Sequence, residues 1–425
     1  MYPTLRVSAL LAAIVSLAAA QPASSPLALD DCVRLAQSAQ SAVSLARQET
    51  EIARQGVTQA RAGFLPQTHL GNVFAYNSPQ LRNRGQFSFI ALNGIREYGS
   101  LFSTAAEVDT SGRLRAGLAR ARADRDAAAS NLGIAQRDLR RAVTAAYFQV
   151  LLARRLAVVA RDALAEAQSF EKRTRLLFQN GEAAQADVVK AAAETAFLQQ
   201  ALQSAELEAQ LAGHELASFW TSSVSDPLQL VDVLEEPVPP PEIPSGAAPF
   251  LRRPEFGLLN AQQRGFQADY RRFRAELLPQ ASLMFQYGFD STNVRIADRG
   301  YAAFINVDVP IFEWFRVRSA ARQSQLRAQQ VETTRQITER EFSRDYQNAL
   351  SRVKMIYGQI AVTEAQVKLS EENLRLSRLR YEGGEGSALD VVTAQNQLAQ
   401  ARGNYYAALS NYLNGRADLE VASGK

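Results

Sequence analysis

One cysteine, two histidines and three methionines in 425 residues leave the chain short of the side chains from which most redox, metal and nucleophilic sites are built. Cys32 has no partner for an intrachain disulfide; it follows Asp30-Asp31 and reads as a buried thiol of the first helix. His69 falls in an expected strand and His214 on an expected helix, neither near Cys32 in sequence. No metal-ligand spacing, Gly-rich phosphate loop or nucleophile elbow is present. The carboxylates alternate with arginines on helix faces, so catalysis, cofactors and metals are not expected. Fifteen prolines and 23 glycines are too few for a fibrous or disordered class. The +4 charge and pI near 9.2 are spread thinly, with no dense Lys/Arg block, which argues against nucleic acid as a partner.

Long apolar runs are also missing beyond the N-terminus. Residues 1–20 carry Arg6, then Leu10 to Leu17, then Ala18-Ala19-Ala20, the order of a secretory signal peptide cleaved after Ala20. No later stretch approaches the roughly 20 apolar residues of a spanning helix. If the mature chain enters a membrane, it does so as strands.

What the chain does have is a repeat. Arg175, Leu176, Gly181, Glu182, Asp187, Val188 and Val189 recur as Arg378, Leu379, Gly384, Glu385, Asp390, Val391 and Val392 at one fixed offset, the mark of internal duplication. Each copy sits where a long alanine-rich helical pattern stops at glycine and another begins. Gly181 and Gly383-Gly384 suit the left-handed conformation that ends a helix. A glycine turn followed by Asp-Val at the head of a returning helix resembles the tips of outer membrane efflux proteins of the TolC family.

The rest of the chain divides to match. Residues 21–220 form a first repeat of helix, strand pair, long helix, tip turn and return helix. Residues 221–249, with Pro237 to Pro244, form a linker; 250–414 a second repeat; and 415–425 a C-terminal tail. A helix is expected over 28–62, opened by Asp30 or Asp31 and stopped at Pro66, with its counterpart stopped at Pro279. After each proline the period becomes two. Leu283, Phe285, Tyr287 and Phe289 share one side, and Ile305, Val307 and Val309 continue it on the next strand, opposite Asn306 and Asp308. The first copy repeats this less cleanly with Leu70, Phe74 and Tyr76, then Phe102 to Val108. Strands of about ten residues with one apolar side fit an outer-membrane barrel. Four strands cannot close one, and open edges are not viable in lipid, so copies must associate.

Helical periodicity then persists from Arg113 to Phe178 and from Trp314 to Tyr381, rods of about 100 Å at 1.5 Å per residue. The return helices, Asp187 to Phe219 and Asp390 to Leu413, are about half as long. The expected fold is thus mainly α with β: long antiparallel hairpins forming an α-barrel, plus four strands per chain.

The resemblance implies more. It implies a homotrimer with a twelve-stranded barrel in outer-membrane lipid, a helical periplasmic tube, and a collar built partly from the proline-rich linker. It places Asp390 in a ring at the periplasmic constriction, where a ring of carboxylates favours cations; the second acid common in the family is replaced here by Thr393. Gly181, Glu182, Asp187, Gly384, Glu385 and Gly386 become the tips that meet a periplasmic adaptor and, through it, an inner-membrane pump. The implied role is a passive exit duct of a tripartite efflux or type I secretion system, opened by rotation of the inner helix pairs. The competing expectation is a periplasmic coiled-coil adaptor or scaffold without a barrel.

Overall fold

The computed structural model describes residues 26–76, 96–243, 246 and 248–424. The expected leader at 1–20 and residues 77–95, after the first strand, lie outside the described residues. The order is α1 (Leu29–Ser38), α2 (Ala42–Ala62), β1 (Gln67–Tyr76), β2 (Arg96–Val108), α3 (Arg113–Gln179), α4 (Gln185–Ser218), α5 (Pro254–Ala275), β3 (Gln280–Ser291), β4 (Gly300–Asp308), α6 (Arg316–Glu382) and α7 (Ala388–Ala422). Both rods, α3 and α6, have 67 residues and begin 203 positions apart, while the hairpins begin 213 positions apart at Gln67 and Gln280. The difference falls in the hairpins, whose internal connection is longer in the first copy.

Each change from helix to strand is fixed by the same device. Proline blocks the helix, and the glutamine after it turns back to the stranded carbonyls. Gln67 Nε2 donates to Ala62 O at 2.9 Å and Leu65 O at 3.1 Å. Gln280 Nε2 donates to Ala275 O at 2.8 Å and Leu278 O at 2.7 Å. Ala62 O and Ala275 O, at the helix ends, also accept from Leu65 N at 3.0 Å and Leu278 N at 3.1 Å, so the side-chain amide adds a second donor there.

The strands form one antiparallel sheet in the order β1-β2-β3-β4. Register places Leu70 opposite Phe102, Phe102 opposite Tyr287, and Tyr287 opposite Tyr301, with Leu283 opposite Ile305 and Ala281 opposite Val307. The alternation therefore builds one continuous apolar face across all four strands. Polar interruptions on it pair with each other: Ser100 donates to Asn72 at 2.8 Å, and the Thr68 and Thr104 hydroxyls meet at 3.0 Å.

The rods pack through small residues. Ala116, Ala123, Ala128, Ala146, Ala153, Ala157 and Ala167 of α3 are buried, which allows close helix approach without a thick core. Larger side chains gather at mid-height, where Cys32, Val33, Tyr147, Phe148, Leu151, Leu216, Leu234 and Leu409 join α1, α3, α4, the linker and α7. Tyr147 donates its hydroxyl to Val231 O at 2.6 Å, Tyr412 to Pro239 O at 2.5 Å, and Arg154 to Leu228 O at 2.7 Å. These bonds strap the proline-rich segment across the helices.

Several boundaries differ from the sequence reading. The expected helix over 28–62 is two helices, because Ser44 turns its hydroxyl to the Ser41 amide at 3.1 Å and starts α2 afresh. Ala28 is the cap position of α1, and Asp31 reaches back to its amide at 3.2 Å instead of serving as the cap itself. The return helix expected to end at Leu413 continues as α7 to Ala422. Gly415 sits where a Cβ would come within 3.2 Å of Val353, so the glycine serves close helix packing. Residues expected as a tail therefore belong to the core, with Leu419 and Ala422 buried against Phe250, Phe256 and Tyr346. Val309 lies one residue beyond β4. Helix α3 also carries an 18-residue window of mean hydropathy 1.4, apolar enough by composition to span a membrane, and 56% of it is buried against the other elements.

Candidate functional site

The two tips close in the same way. At the first, Glu182 N donates to Leu177 O at 2.8 Å and Gly181 N to Phe178 O at 3.0 Å, with Gly181 at φ 79°. At the second, Glu385 N donates to Arg380 O at 2.9 Å and Gly384 N to Tyr381 O at 3.1 Å, with Gly384 at φ 75°. Both are Schellman closures, in which a left-handed glycine lets the chain satisfy the last helix carbonyls. The second turn is tighter, since Gly386 N also reaches Arg380 O at 3.0 Å and a Cβ there would stand 3.0 Å from Tyr381 N.

The returning helices start differently. Ser387 N donates to Asp390 Oδ2 at 3.0 Å and Asp390 N to Ser387 Oγ at 3.2 Å, a reciprocal capping box. Asp390 is exposed, and its hydrogen bonds from Ser387, backbone first, hold its carboxyl below the usual range. Asp187 occupies the matching place behind Ala184, which has no side-chain oxygen to offer, and is half-buried. Gly181, Glu182, Gly384 and Glu385 are exposed, and Gly386 is half-buried against its own turn.

Behind the tips the two hairpins are clamped together. Arg173 pairs with Glu382 at 3.1 Å, Arg378 with Glu166, and Arg402 with Asp162 at 3.7 Å, while Arg402 also meets Glu371 of its own hairpin at 3.0 Å. Phe170 meets Tyr381 edge-on at 5.2 Å, within a cluster that includes Ala191, Leu374, Val391 and Leu398. Three buried polar side chains interrupt it. Thr174 and Tyr381 hydroxyls lie near one another outside hydrogen-bond geometry, and the Gln395 amide has no partner. Burial pushes the Tyr381 phenol up. None of these was singled out in the sequence; the Ser387-x-x-Asp390 spacing was the one signal that could have been read as a cap.

The sheet brings Leu283, Phe285, Tyr287, Phe289, Ile305 and Val307 to one face. Tyr301 (78%), Ile305 (76%), Leu70 (64%) and Phe74 (62%) are exposed there, so the chain itself does not cover it. The opposite face carries His69, Ser103, Gln286, Asp290 and Asn306, with Val73, Leu101, Met284 and Phe304 as its larger apolar exceptions. Among the described residues, no cluster of His, Cys, Asp and Glu could hold a metal ion.

The model of the outer membrane efflux protein family matches residues 33–221 and 250–425. The chain belongs to this family. As an outer-membrane efflux protein it places its helical half in the periplasm, and its relatives are channels, not enzymes. The efflux protein is 25% identical to the pyoverdine export outer membrane protein OpmQ of Pseudomonas aeruginosa, over 61% of this chain and 56% of that protein's length. Its fold is similar to the CmeC outer membrane channel of Campylobacter jejuni, at TM-score 0.82 and 19% identity, covering 93% of this chain and 85% of that one. It is also similar to VceC of Vibrio cholerae, at TM-score 0.81 and 16% identity, covering 93% and 96%.

Proposed function

We propose that three copies of this chain form a passive exit duct, a twelve-stranded barrel continuous with a helical tube, and that its tips receive a periplasmic adaptor linked to an inner-membrane pump. The observation that carries this reading is the sheet: four strands with one uncovered apolar face and, among the described residues, free edges at β1 and β4. Lipid tolerates such a face but not such edges. Three copies joining β4 of one to β1 of the next remove every edge and give strand numbers suited to an aqueous lumen. A soluble scaffold would leave that contiguous apolar face in water.

The repeats 21–220 and 250–414, with the segment 221–249 between them, supply this reading with paired hairpins and a collar. Asp390 is the residue we assign to the constriction, because it is exposed at a helix start with one carboxylate oxygen uncommitted. Asp187 belongs to the docking tips instead. Planar-bilayer recording of the purified trimer tests the assignment. Asp390→Asn keeps the capping geometry and removes the charge, and should lower the cation-to-anion permeability ratio by about twofold or more. Equal ratios for Asp390→Asn and the unsubstituted channel would withdraw the constriction from Asp390. For adaptor capture, cysteines belong at Ala183 and Glu385, since a cysteine at Ser387 would remove the cap of α7.

A further inference from the structure

The two halves of the chain match residue for residue around the foot of the sheet. Gln67 faces Ala105 and Gln280 faces Asp308, so β3 follows β1 by 213 positions and β4 follows β2 by 203. The halves meet where β2 lies against β3. At the foot of that seam the connection from β2 to α3 rests on the turn from α5 to β3. Thr110 donates to Pro279 O at 3.0 Å, Ser111 donates to Gln280 Oε1 at 3.0 Å, and Gly112 takes the left-handed position at φ 83°. This joint inside the chain is polar and closed.

Carried on by one half, the same joint falls between two chains. The shift of 203 turns Val108, Thr110, Ser111 and Gly112 into Ile311, Glu313, Trp314 and Phe315, and the shift of 213 turns Leu277, Leu278, Pro279 and Gln280 back into Phe64, Leu65, Pro66 and Gln67. Within one chain these segments lie at opposite ends of the sheet, and both are bare: Ile311 is 95% exposed, Trp314 82% and Leu65 62%. Trp314 at φ 49° and Phe315 at φ 63° hold a conformation that bulky residues keep only where their surroundings over-determine it. Inside the chain, Phe312 touches Trp314 edge-on at 4.8 Å and Arg318 stands 5.8 Å from the Phe315 ring. Glu313 Oε1, at the place of the Thr110 hydroxyl, is enclosed without a hydrogen-bond partner. The segment is shaped for a contact that one chain does not supply.

We infer that the connection from β4 to α6 seats on the turn from α2 to β1 of a second copy of this chain, so that the joints between chains repeat in aromatic form the polar joint inside each. The inference rests on the duct reading and deepens it by naming the register at which the chains meet. Phe102 faces Tyr287, Ala106 faces Leu283 and Val108 faces Ala281. Transfer by the repeat sets Ile305 opposite the partner's Phe74, Val309 opposite the partner's Leu70 and Ile311 opposite the partner's Thr68. All three pairs fall on the apolar face, which a slip of one residue would forbid. At the foot, Trp314 and Phe315 meet the partner's Phe64 and the partner's Leu65. The indole N–H, a donor only, stands in for the Ser111 hydroxyl toward the partner's Gln67.

Disulfide trapping tests the register, because directly opposed Cα atoms of antiparallel strands stand about 4.5–5.5 Å apart, within disulfide reach. After mild oxidation of the detergent-solubilised trimer, the chain with Ile311→Cys and Thr68→Cys should run on denaturing gels as a covalent trimer that reductant returns to monomer. Ile311→Cys with Leu70→Cys, two residues out of register, should stay monomeric; the buried Cys32 is kept in both. Where Thr68→Cys prevents assembly, Val309→Cys with Leu70→Cys reads the same register. Trapping of the displaced pair in place of the opposed one, or of both alike, overturns the inference. An intact trimer in which no pair is trapped also overturns it and leaves the connection to lipid, while the duct reading stands. Failure of the unsubstituted chain to trimerise removes the duct reading and the joint with it. Phe315→Gly matches Gly112 and relieves the positive φ, yet it should lower the temperature at which the trimer separates on mild gels; an unchanged or higher temperature withdraws the Phe315 ring from the joint.

Discussion

At the first tip Ala184 precedes α4 and gives it no side-chain acceptor, whereas at the second Ser387 precedes α7 and exchanges hydrogen bonds with Asp390. The glycines, closures and offset are the same. The duplicated backbone is thus kept by glycine and by the helix carbonyls, while the acids have diverged in what they contact. The strand-to-helix connections show the same separation, with Gly112 in one copy and Phe315 in the other at the left-handed position. Geometry is shared between the halves, and side-chain chemistry is not.

The largest break in this parallel lies in the sheet. A Cβ on Gly288 would fall 1.9 Å from Ser100 O, a backbone atom that cannot move without its strand. Its counterpart in the first hairpin is Ala75, which already has that atom. Gly288→Ala should therefore destabilise the folded trimer by roughly 3 kcal/mol, at the top of the range for overpacking, while Ala75→Gly costs well under half of that. Heat-dependent gel mobility of the trimer compares the two directly, and equal behaviour would mean that β2 and β3 do not approach as described.

The tips give the next effect. Gly181→Ala and Gly384→Ala each place a side chain at positive φ in open space and should cost about 1–2 kcal/mol alike. Gly386→Ala meets Tyr381 N at 3.0 Å, so it adds a cost that Ala183, its twin, shows the first turn does not carry. Hydrogen exchange at the ends of α3 and α6 should show two equal losses and one confined to the second tip.

Smallest is the cap. Ser387→Ala should weaken the start of α7 by about 1 kcal/mol, and Ala184→Ser should strengthen α4 by somewhat less. It also has a pH signature. The folded Asp390 carboxyl is held down by its hydrogen bonds with Ser387, so its contribution is fully present above the unfolded value of about 3.9 and is lost as pH falls through the lower folded value. Cation selectivity that depends on Asp390 should fade below that pH. In Ser387→Ala the midpoint should move upward; a fixed midpoint would detach the carboxyl from the cap.

Much of this was legible because it is local or repeated. The tip offset, the two prolines at 66 and 279, and the period-two run from Leu283 to Phe289 announce turns, stops and a one-sided strand without help from the rest of the fold. The residues that escaped depend on what lies across from them. Gln67 and Gln280 are ordinary polar residues until a helix end is placed within reach. Gly415 falls in the expected tail until Val353 is seen beside it. Thr174, Tyr381 and Gln395 sit on helices whose partners are two hundred residues distant, and only packing reveals that their polar atoms are enclosed. Charge patterning on α3 and α6 reads as solvated, although Glu166, Arg173, Arg378 and Glu382 clamp one hairpin to the other.

The repeat spacing, 203 positions along the rods but 213 at the hairpins, has a consequence for symmetry. In the proposed ring of three chains, six near-equivalent rods would line the wall, and a molecule approaching from the periplasm would meet something close to a hexagon. Ten additional residues in one hairpin of each pair end that equivalence at the opposite end, where longer and shorter connections alternate. In the proposed assembly, three-fold repetition of the longer connection would set a triangle on a hexagonal shaft.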